Sequence, residues 1–118
     1  MATAKQHPPL TPAVFHILLA LAGGDRHGYA IMQEVREQTS GAVNMGAGTL
    51  YGTIQRLLDA GLVSECRAPK ALSVRDESRR YYRLTRAGRR SLEDEVRRLE
   101  GLVRLARGIR RPSDGVKA

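Results

Sequence analysis

Residues 48–67 read GTLYGTIQRLLDAGLVSECR, and they decide the fold because they hold a helix, its end signal and a strand. In residues 48–60, apolar side chains recur at helical spacing and form one inward face, made of Leu50, Ile54, Leu57 and Leu58. Gly61 marks the end of this helix, because glycine readily adopts the left-handed conformation that follows many helices. Residues 62–67 then predict a short strand.

A second strand is predicted downstream at residues 79–84, which read RRYYRL, and the polar residues 68–78 connect the two strands. The pair predicts a β-hairpin with a long tip. Thr85 stands at a helix N-cap position before RAGRRSL, so a last helix is expected from residue 86 to about residue 107.

Two helices are predicted upstream. Thr11-Pro12 is a helix-start signal, since a capping hydroxyl precedes proline at the first helical position. The first helix is apolar on nearly every side and ends before Gly23-Gly24, and the second covers residues 27–39. This order predicts a mainly α fold with a small β-hairpin wing, namely a winged helix-turn-helix plus a C-terminal helix.

Charge is concentrated in one part of the chain. The net charge is +8, yet residues 1–62 are neutral, while residues 63–90 hold nine basic and three acidic residues. A basic segment beside a neutral scaffold is typical of proteins that bind polyanions. A solvated surface that only keeps the chain soluble is the alternative.

Composition argues against other classes of protein. The single cysteine, Cys66, excludes an internal disulfide framework and a cysteine-rich zinc site. The three histidines are scattered, and the chain has no nucleophile motif, phosphate-binding glycine loop or metal-ligand spacing. No apolar run is long enough to cross a membrane, and the N-terminus lacks the apolar stretch of a secretion signal. We therefore expect a cytoplasmic protein with no catalytic residues, metal or cofactor, and with no membrane partner.

The helix at residues 48–60 is the predicted recognition helix. Opposite its apolar face it presents side chains that can hydrogen-bond to bases or phosphates, and glycines that leave the backbone open to close approach. The expected DNA-binding residues are Gly48, Thr49, Tyr51, Gly52, Thr53, Gln55 and Arg56. Packing of the Tyr51 ring beside the core is the alternative for that residue.

The second hairpin strand supplies the predicted contacts of the wing. Alternation places Arg79, Tyr81 and Arg83 on one face, and Tyr82 and Leu84 are expected to pack inward. The arginines and the Tyr81 hydroxyl are then expected to hold DNA phosphates, with Arg80 reaching from the strand edge. Alternatively, some of these arginines pair with Asp76 or Glu77 in the hairpin tip.

The last helix carries an apolar stripe at alternating spacings of four and three residues, made of Leu92, Val96, Leu99, Val103 and Ala106 and widened by Leu102 and Leu105. Little of the chain is left to cover a stripe of this length, so we expect a homodimer in which the partner's first helix covers it. The expected domain organisation is a flexible arm at residues 1–9, a winged-helix DNA-binding domain at residues 10–84, a dimerisation helix at residues 85–107 and a disordered basic tail at residues 108–118.

Four segments resemble the PadR family of winged-helix transcriptional repressors, in matching order: LTPAVFHILLALA at residues 10–22, HGYAI at 27–31, GTLY at 48–51 and RYYRLT at 80–85, which runs on into Gly88. The resemblance implies a cytoplasmic dimer that represses transcription and binds a palindromic operator in double-stranded DNA. It also implies release by a small-molecule effector, bound between subunits, or by another signal. Ala47 stands where the family commonly has proline, and the chain has no tryptophan to line a drug site.

Two other functions fit the same residues. A nucleoid-type or RNA-binding protein would use the basic charge without reading bases. A protein-interaction adaptor would use the winged helix to dock another protein, although the arginine-rich wing argues against this alternative.

Overall fold

The computed structural model describes residues 9–69 and 79–109. Its elements are α1 (Pro12–Ala22), β1 (Arg26–His27), α2 (Gly28–Gln38), α3 (Ala47–Asp59), β2 (Val63–Cys66), β3 (Tyr81–Leu84) and α4 (Arg86–Gly108). The three strands form one antiparallel sheet in the order β1-β3-β2. The chain is thus mainly α with a small β wing and a C-terminal helix, as the sequence predicts.

Some expectations fall on residues outside those described. They concern the flexible arm, most of the hairpin tip with Asp76 and Glu77, and the tail from residue 110 onward. Gly108, which was expected to begin the disordered tail, is instead the last residue of α4.

Two of the predicted helix starts are confirmed by their caps. The Thr11 hydroxyl accepts a hydrogen bond from the Val14 amide at 3.2 Å, and the Thr85 hydroxyl accepts one from the Gly88 amide at 3.0 Å. His27 was expected inside α2, but it is the N-cap of this helix. Its Nδ1 accepts from the Ala30 amide at 3.1 Å, which requires that this nitrogen carry no proton.

The sequence does not predict β1. Its two residues pair with β3, Arg26 opposite Tyr82 and His27 opposite Tyr81. A strand of two residues is too short to produce an alternating pattern, so no periodicity could reveal it. The wing is therefore a hairpin with a third, very short strand on the other edge of β3.

The core lies where α1 meets α2, α3, α4 and the sheet. Its fully buried members include Ile17 and Leu18 of α1, Ile31 and Val35 of α2, and Leu50 of α3. Burying an aliphatic side chain of this size stabilises the fold by about 1.5–3 kcal/mol. The predicted inward face of α3 is confirmed, since Ile54 and Leu57 are buried as well and Leu58 packs partly against the core.

The turn that follows α3 packs closely against the start of α4, beside the sheet. The Thr85 amide donates to the Leu62 carbonyl at 3.1 Å, and the Thr85 hydroxyl donates to the Gly61 carbonyl at 2.7 Å. The Leu62 carbonyl oxygen also lies so close to the Gly88 Cα that a Cβ there would overlap it. Only glycine at position 88 lets α4 pack this closely on the turn after α3.

Candidate nucleic-acid interface

The surface of α3 that faces away from the core is polar and open. The predicted DNA-binding residues on it are all exposed, namely Gly48, Thr49, Tyr51, Gly52, Gln55 and Arg56. Among the described residues, no atom outside the chain neighbours and the backbone of the same helix lies within 4 Å of a Cβ built on Gly48 or Gly52, so these positions leave the helix backbone bare. Gln55 donates to the Asp59 carboxylate at 3.1 Å along the same face.

Thr53 is a correction to the predicted recognition surface. It was expected to point outward, but only 1% of it is exposed. It stands three residues after Leu50 and four before Leu57, so helical geometry places it in the same inward stripe. Its hydroxyl accepts a hydrogen bond from Arg56 at 3.2 Å and therefore orients that exposed guanidinium.

The wing arginines have partners that the sequence did not predict. Arg83 forms an ion pair with Asp25 at 2.8 Å, and the Arg80 Nε lies 3.4 Å from a Glu65 carboxylate oxygen. The Arg80 and Arg83 side chains are nevertheless 77% and 57% exposed. Both guanidinium groups can therefore reach a ligand in solvent.

Tyr81 is a second correction, because its hydroxyl was expected to contact phosphates from the exposed face of β3. Only 4% of the residue is exposed. The His27 ring of β1 covers it in an edge-to-face contact with ring centroids 5.3 Å apart. The unpredicted strand thus hides a residue that alternation alone would expose. Tyr82 and Leu84 are buried, as predicted.

A cleft of about 800 Å³ separates α2 and α3 from the base of the wing. The described residues that line this α2–wing cleft are His27, Gly28, Tyr29, Gln33, Tyr51, Arg79, Arg80 and Tyr82. Tyr51 lies directly against Gly28, where a Cβ would overlap its ring and hydroxyl. The sequence does not predict Tyr29 or Gln33 as site residues, although Tyr29 lies in HGYAI, one of the four segments that resemble the family.

Two side chains of the sheet, Cys66 and Tyr82, have raised pKa values. Burial, followed by the nearby Asp25 carboxylate, raises the pKa of the Cys66 thiol and so disfavours the reactive thiolate. Burial is also the main cause that raises the pKa of Tyr82, so its hydroxyl keeps its proton.

Among the described residues, no cluster of three or more His, Cys, Asp or Glu side chains could hold a metal ion.

The apolar stripe of α4 is only partly free. Leu92 was expected to belong to it, but Leu92 is buried in the core of its own chain. Val96, Leu102 and Val103 are 36%, 48% and 47% exposed, and Ala106 is exposed as well. Leu99 is half-buried. The open part of the stripe therefore begins at Val96.

No helix among the described residues combines the length and apolar character needed to span a membrane.

Comparison with known proteins assigns the family. The model of the Transcriptional regulator PadR-like family matches residues 17–94, which include α2, α3, the described part of the wing and the first turns of α4. The chain belongs to this family. PadR-like proteins are transcriptional regulators rather than enzymes.

Individual relatives agree with the family assignment. The chain is 40% identical to the transcriptional regulator Rv3488 of Mycobacterium tuberculosis over 90 residues, which is 75% of this chain and 77% of that protein. A PadR family transcription regulator from Clostridium difficile has a similar structure, with a TM-score of 0.67 and 25% identity over 79% of this chain and 92% of that one. PadR of Bacillus subtilis, solved in complex with operator DNA, shares the fold with a TM-score of 0.58 and 22% identity over 70% of this chain and 45% of that one.

Proposed function

We propose that this PadR-like protein is a cytoplasmic, homodimeric repressor that binds a palindromic operator and releases it when a small molecule or another signal binds. One observation carries the proposal: Tyr51 of α3 lines the same cleft as Arg79 and Arg80 of the wing. The exposed face of α3 and the wing arginines therefore form one continuous surface of hydrogen-bond donors and positive charge.

On this surface α3 reads bases and the wing holds the backbone. Gln55 presents an amide that matches adenine, and Arg56 presents a guanidinium that matches guanine. Thr49 and Tyr51 offer hydroxyls, while Gly48 and Gly52 let the helix backbone approach the groove. The wing arginines bind phosphates on either strand. Thr53 and Tyr81 support these residues from the interior and make no DNA contact.

A second copy of the chain covers the open stripe of α4. Val96, Leu99, Leu102, Val103 and Ala106 present an apolar surface on a helix of 23 residues whose C-terminal part is exposed on every side. Such a surface is costly in water and is typical of a subunit interface. The partner's α1 or α4 packs against it, and the effector binds between the subunits.

Selection from a random pool of DNA duplexes tests the DNA-binding proposal. The wild-type protein should enrich a palindrome whose half-sites are centred about one helical turn, or a whole number of turns, apart. Unrelated duplexes that compete equally at physiological salt would instead indicate a nucleoid-type binder. An absence of DNA binding would favour the adaptor. Repression is tested by placing the selected palindrome in a reporter promoter.

The double variant Leu102→Lys plus Val103→Lys tests the dimer. It places two charges on each copy of the open stripe without touching the buried core, so it should give a folded monomer with weak operator affinity. Arg97→Lys plus Arg104→Lys is the matched control, because it makes two lysine substitutions on the opposite side of α4. Light scattering at micromolar concentration decides, and a double variant that remains a dimer would place the interface elsewhere.

A further inference from the structure

The α2–wing cleft has the chemistry of an anion site. Among the described residues that line it, none is acidic, while Arg79 and Arg80 supply guanidinium groups and Gln33 supplies an amide. Tyr29 and Tyr51, which line the same cleft, are 51% and 47% exposed. Each combines a hydroxyl donor with an apolar ring that can pack against a sugar.

The aromatic part of the wall of this cleft is packed before any ligand binds. Tyr82 is only 4% exposed and the Tyr51 ring lies directly against Gly28, while the exposed Arg80 side chain lies 3.4 Å from a Glu65 carboxylate oxygen. The Arg79 guanidinium lies 2.8 Å from His27 Nε2, but this contact is not a hydrogen bond, because His27 Nδ1 accepts from the Ala30 amide and the neutral ring then carries its proton on Nε2. Groups fixed in advance lose little conformational entropy on binding, and this favours a specific contact over a mobile surface charge.

We infer that the α2–wing cleft holds one sugar-phosphate unit of the DNA backbone, with Tyr29 and Gln33 of α2 donating hydrogen bonds to the phosphate. This inference rests on the proposed function and adds α2 to the predicted interface. The cleft opens between the exposed start of α3 and the base of the wing, so a strand that passes from one to the other crosses it. The arginine pair supplies charge, and the two α2 side chains fix the position of the backbone.

Tyr29→Phe and Gln33→Ala test the inference on a duplex that the wild-type protein has selected from a random pool. A hydrogen bond to a charged group is strong, so each variant should lower affinity about tenfold or more. Because neither change removes a positive charge, the dependence of affinity on salt should keep its slope. Gln38→Ala is the matched control, since Gln38 is exposed on the same helix but does not line the cleft.

A scan with neutral methylphosphonate linkages identifies the phosphate. The wild-type protein should lose affinity when one backbone position in each half-site is made neutral, and Tyr29→Phe should lose much less at that position. Equal losses in both proteins at every position would overturn the inference, as would unchanged affinity of both α2 variants. In either case the wild-type protein still selects its duplex, so the proposed function stands. A wild-type protein that selects no sequence overturns the proposed function itself.

A free anion is the other source of the same chemistry. Inorganic phosphate would then raise the Tm of the wild-type protein without DNA, compared with chloride at equal ionic strength, and Tyr29→Phe would abolish this rise while leaving DNA affinity unchanged. That pair of results would overturn the DNA-backbone assignment. The assignment instead expects no specific stabilisation by inorganic phosphate and a clear loss of DNA affinity.

Discussion

Arg83 and Asp25 form a two-point ion pair across the edge of the sheet, with the guanidinium NH2 2.8 Å and the Nε 3.4 Å from the two carboxylate oxygens. If Arg83 holds a DNA phosphate as proposed, this carboxylate competes with DNA for the arginine. Asp25→Asn should therefore raise DNA affinity by up to about fivefold, because an exposed ion pair contributes at most about 1 kcal/mol. Arg83→Ala should instead weaken binding and reduce the salt slope by about one.

The matched control for Asp25→Asn is Glu37→Gln, which removes one negative charge from an exposed position on α2. Affinities are compared by fluorescence anisotropy over a range of salt concentrations. If Glu37→Gln raises affinity as much as Asp25→Asn does, the effect comes from net charge, and the ion pair does not restrain Arg83.

Substitutions on the exposed side of α3 should change operator affinity, whereas a substitution on its buried side should change the free energy of unfolding. Alanine at Thr49, Gln55 or Arg56 should cost about 1–3 kcal/mol of operator binding wherever the side chain reads a base, with little effect on unrelated DNA. Thr53→Ala should instead lower the free energy of unfolding by about 1–2 kcal/mol, because it leaves a small cavity and removes the acceptor of Arg56. Competition binding and urea unfolding measure the two effects. Operator preference that survives in all three surface variants would show that α3 is not the reader.

Gly52 should show opposite effects on stability and binding. An alanine Cβ there meets no atom of another described element within 4 Å, so Gly52→Ala should stabilise the helix by about 1 kcal/mol. The added methyl group would keep the backbone of α3 away from the groove and weaken operator binding. Thermal unfolding and anisotropy on the same sample measure both effects, and full operator affinity in the stabilised variant would show that α3 does not approach DNA at this turn.

Glu95 should make stability depend on acid pH. It is buried on α4, where hydrogen bonds from Arg98 at 2.9 and 2.7 Å are the main cause that holds its pKa below the ordinary value of 4.5. A lowered folded-state pKa contributes stability that is present above about pH 4.5 and is lost as the pH falls through the folded-state value. Glu95→Gln should flatten this part of the curve. Urea unfolding at a series of acid pH values measures it, and an unchanged curve would contradict the assignment.

Gly88→Ala tests the junction between the sheet and α4. Its Cβ would overlap the Leu62 carbonyl, so the variant should lose about 2–3 kcal/mol of unfolding free energy. Gly101→Ala is the matched control on the same helix, because no other part of the described chain lies within 4 Å of the added atom, and it should stabilise the fold by about 0.5–1 kcal/mol. Urea unfolding compares the two, and equal stability of both variants would show that the junction yields to the extra atom.

Local rules predicted most of this fold because each depends on neighbours in sequence. The caps at Thr11 and Thr85 lie three residues from their donors, and the buried face of α3 repeats at helical spacing. The misses depend on contacts distant in sequence. Tyr81 is covered by His27 from a strand too short to recognise, and Arg83 meets Asp25 58 positions away. Thr53 is an exception, since its spacing from Leu50 and Leu57 already placed it inward.

The junction of Leu62, Thr85 and Gly88 also bears on how a signal could travel. It joins the turn after α3 to the start of α4 through two backbone contacts of the Leu62 carbonyl, one with Thr85 and one with Gly88. Because α4 is fixed to α3 at this junction, a rotation of α4 also rotates α3. In the proposed dimer, an effector that changed the angle between the two copies of α4 would turn both α3 helices as rigid bodies and shift their spacing away from the helical repeat of DNA.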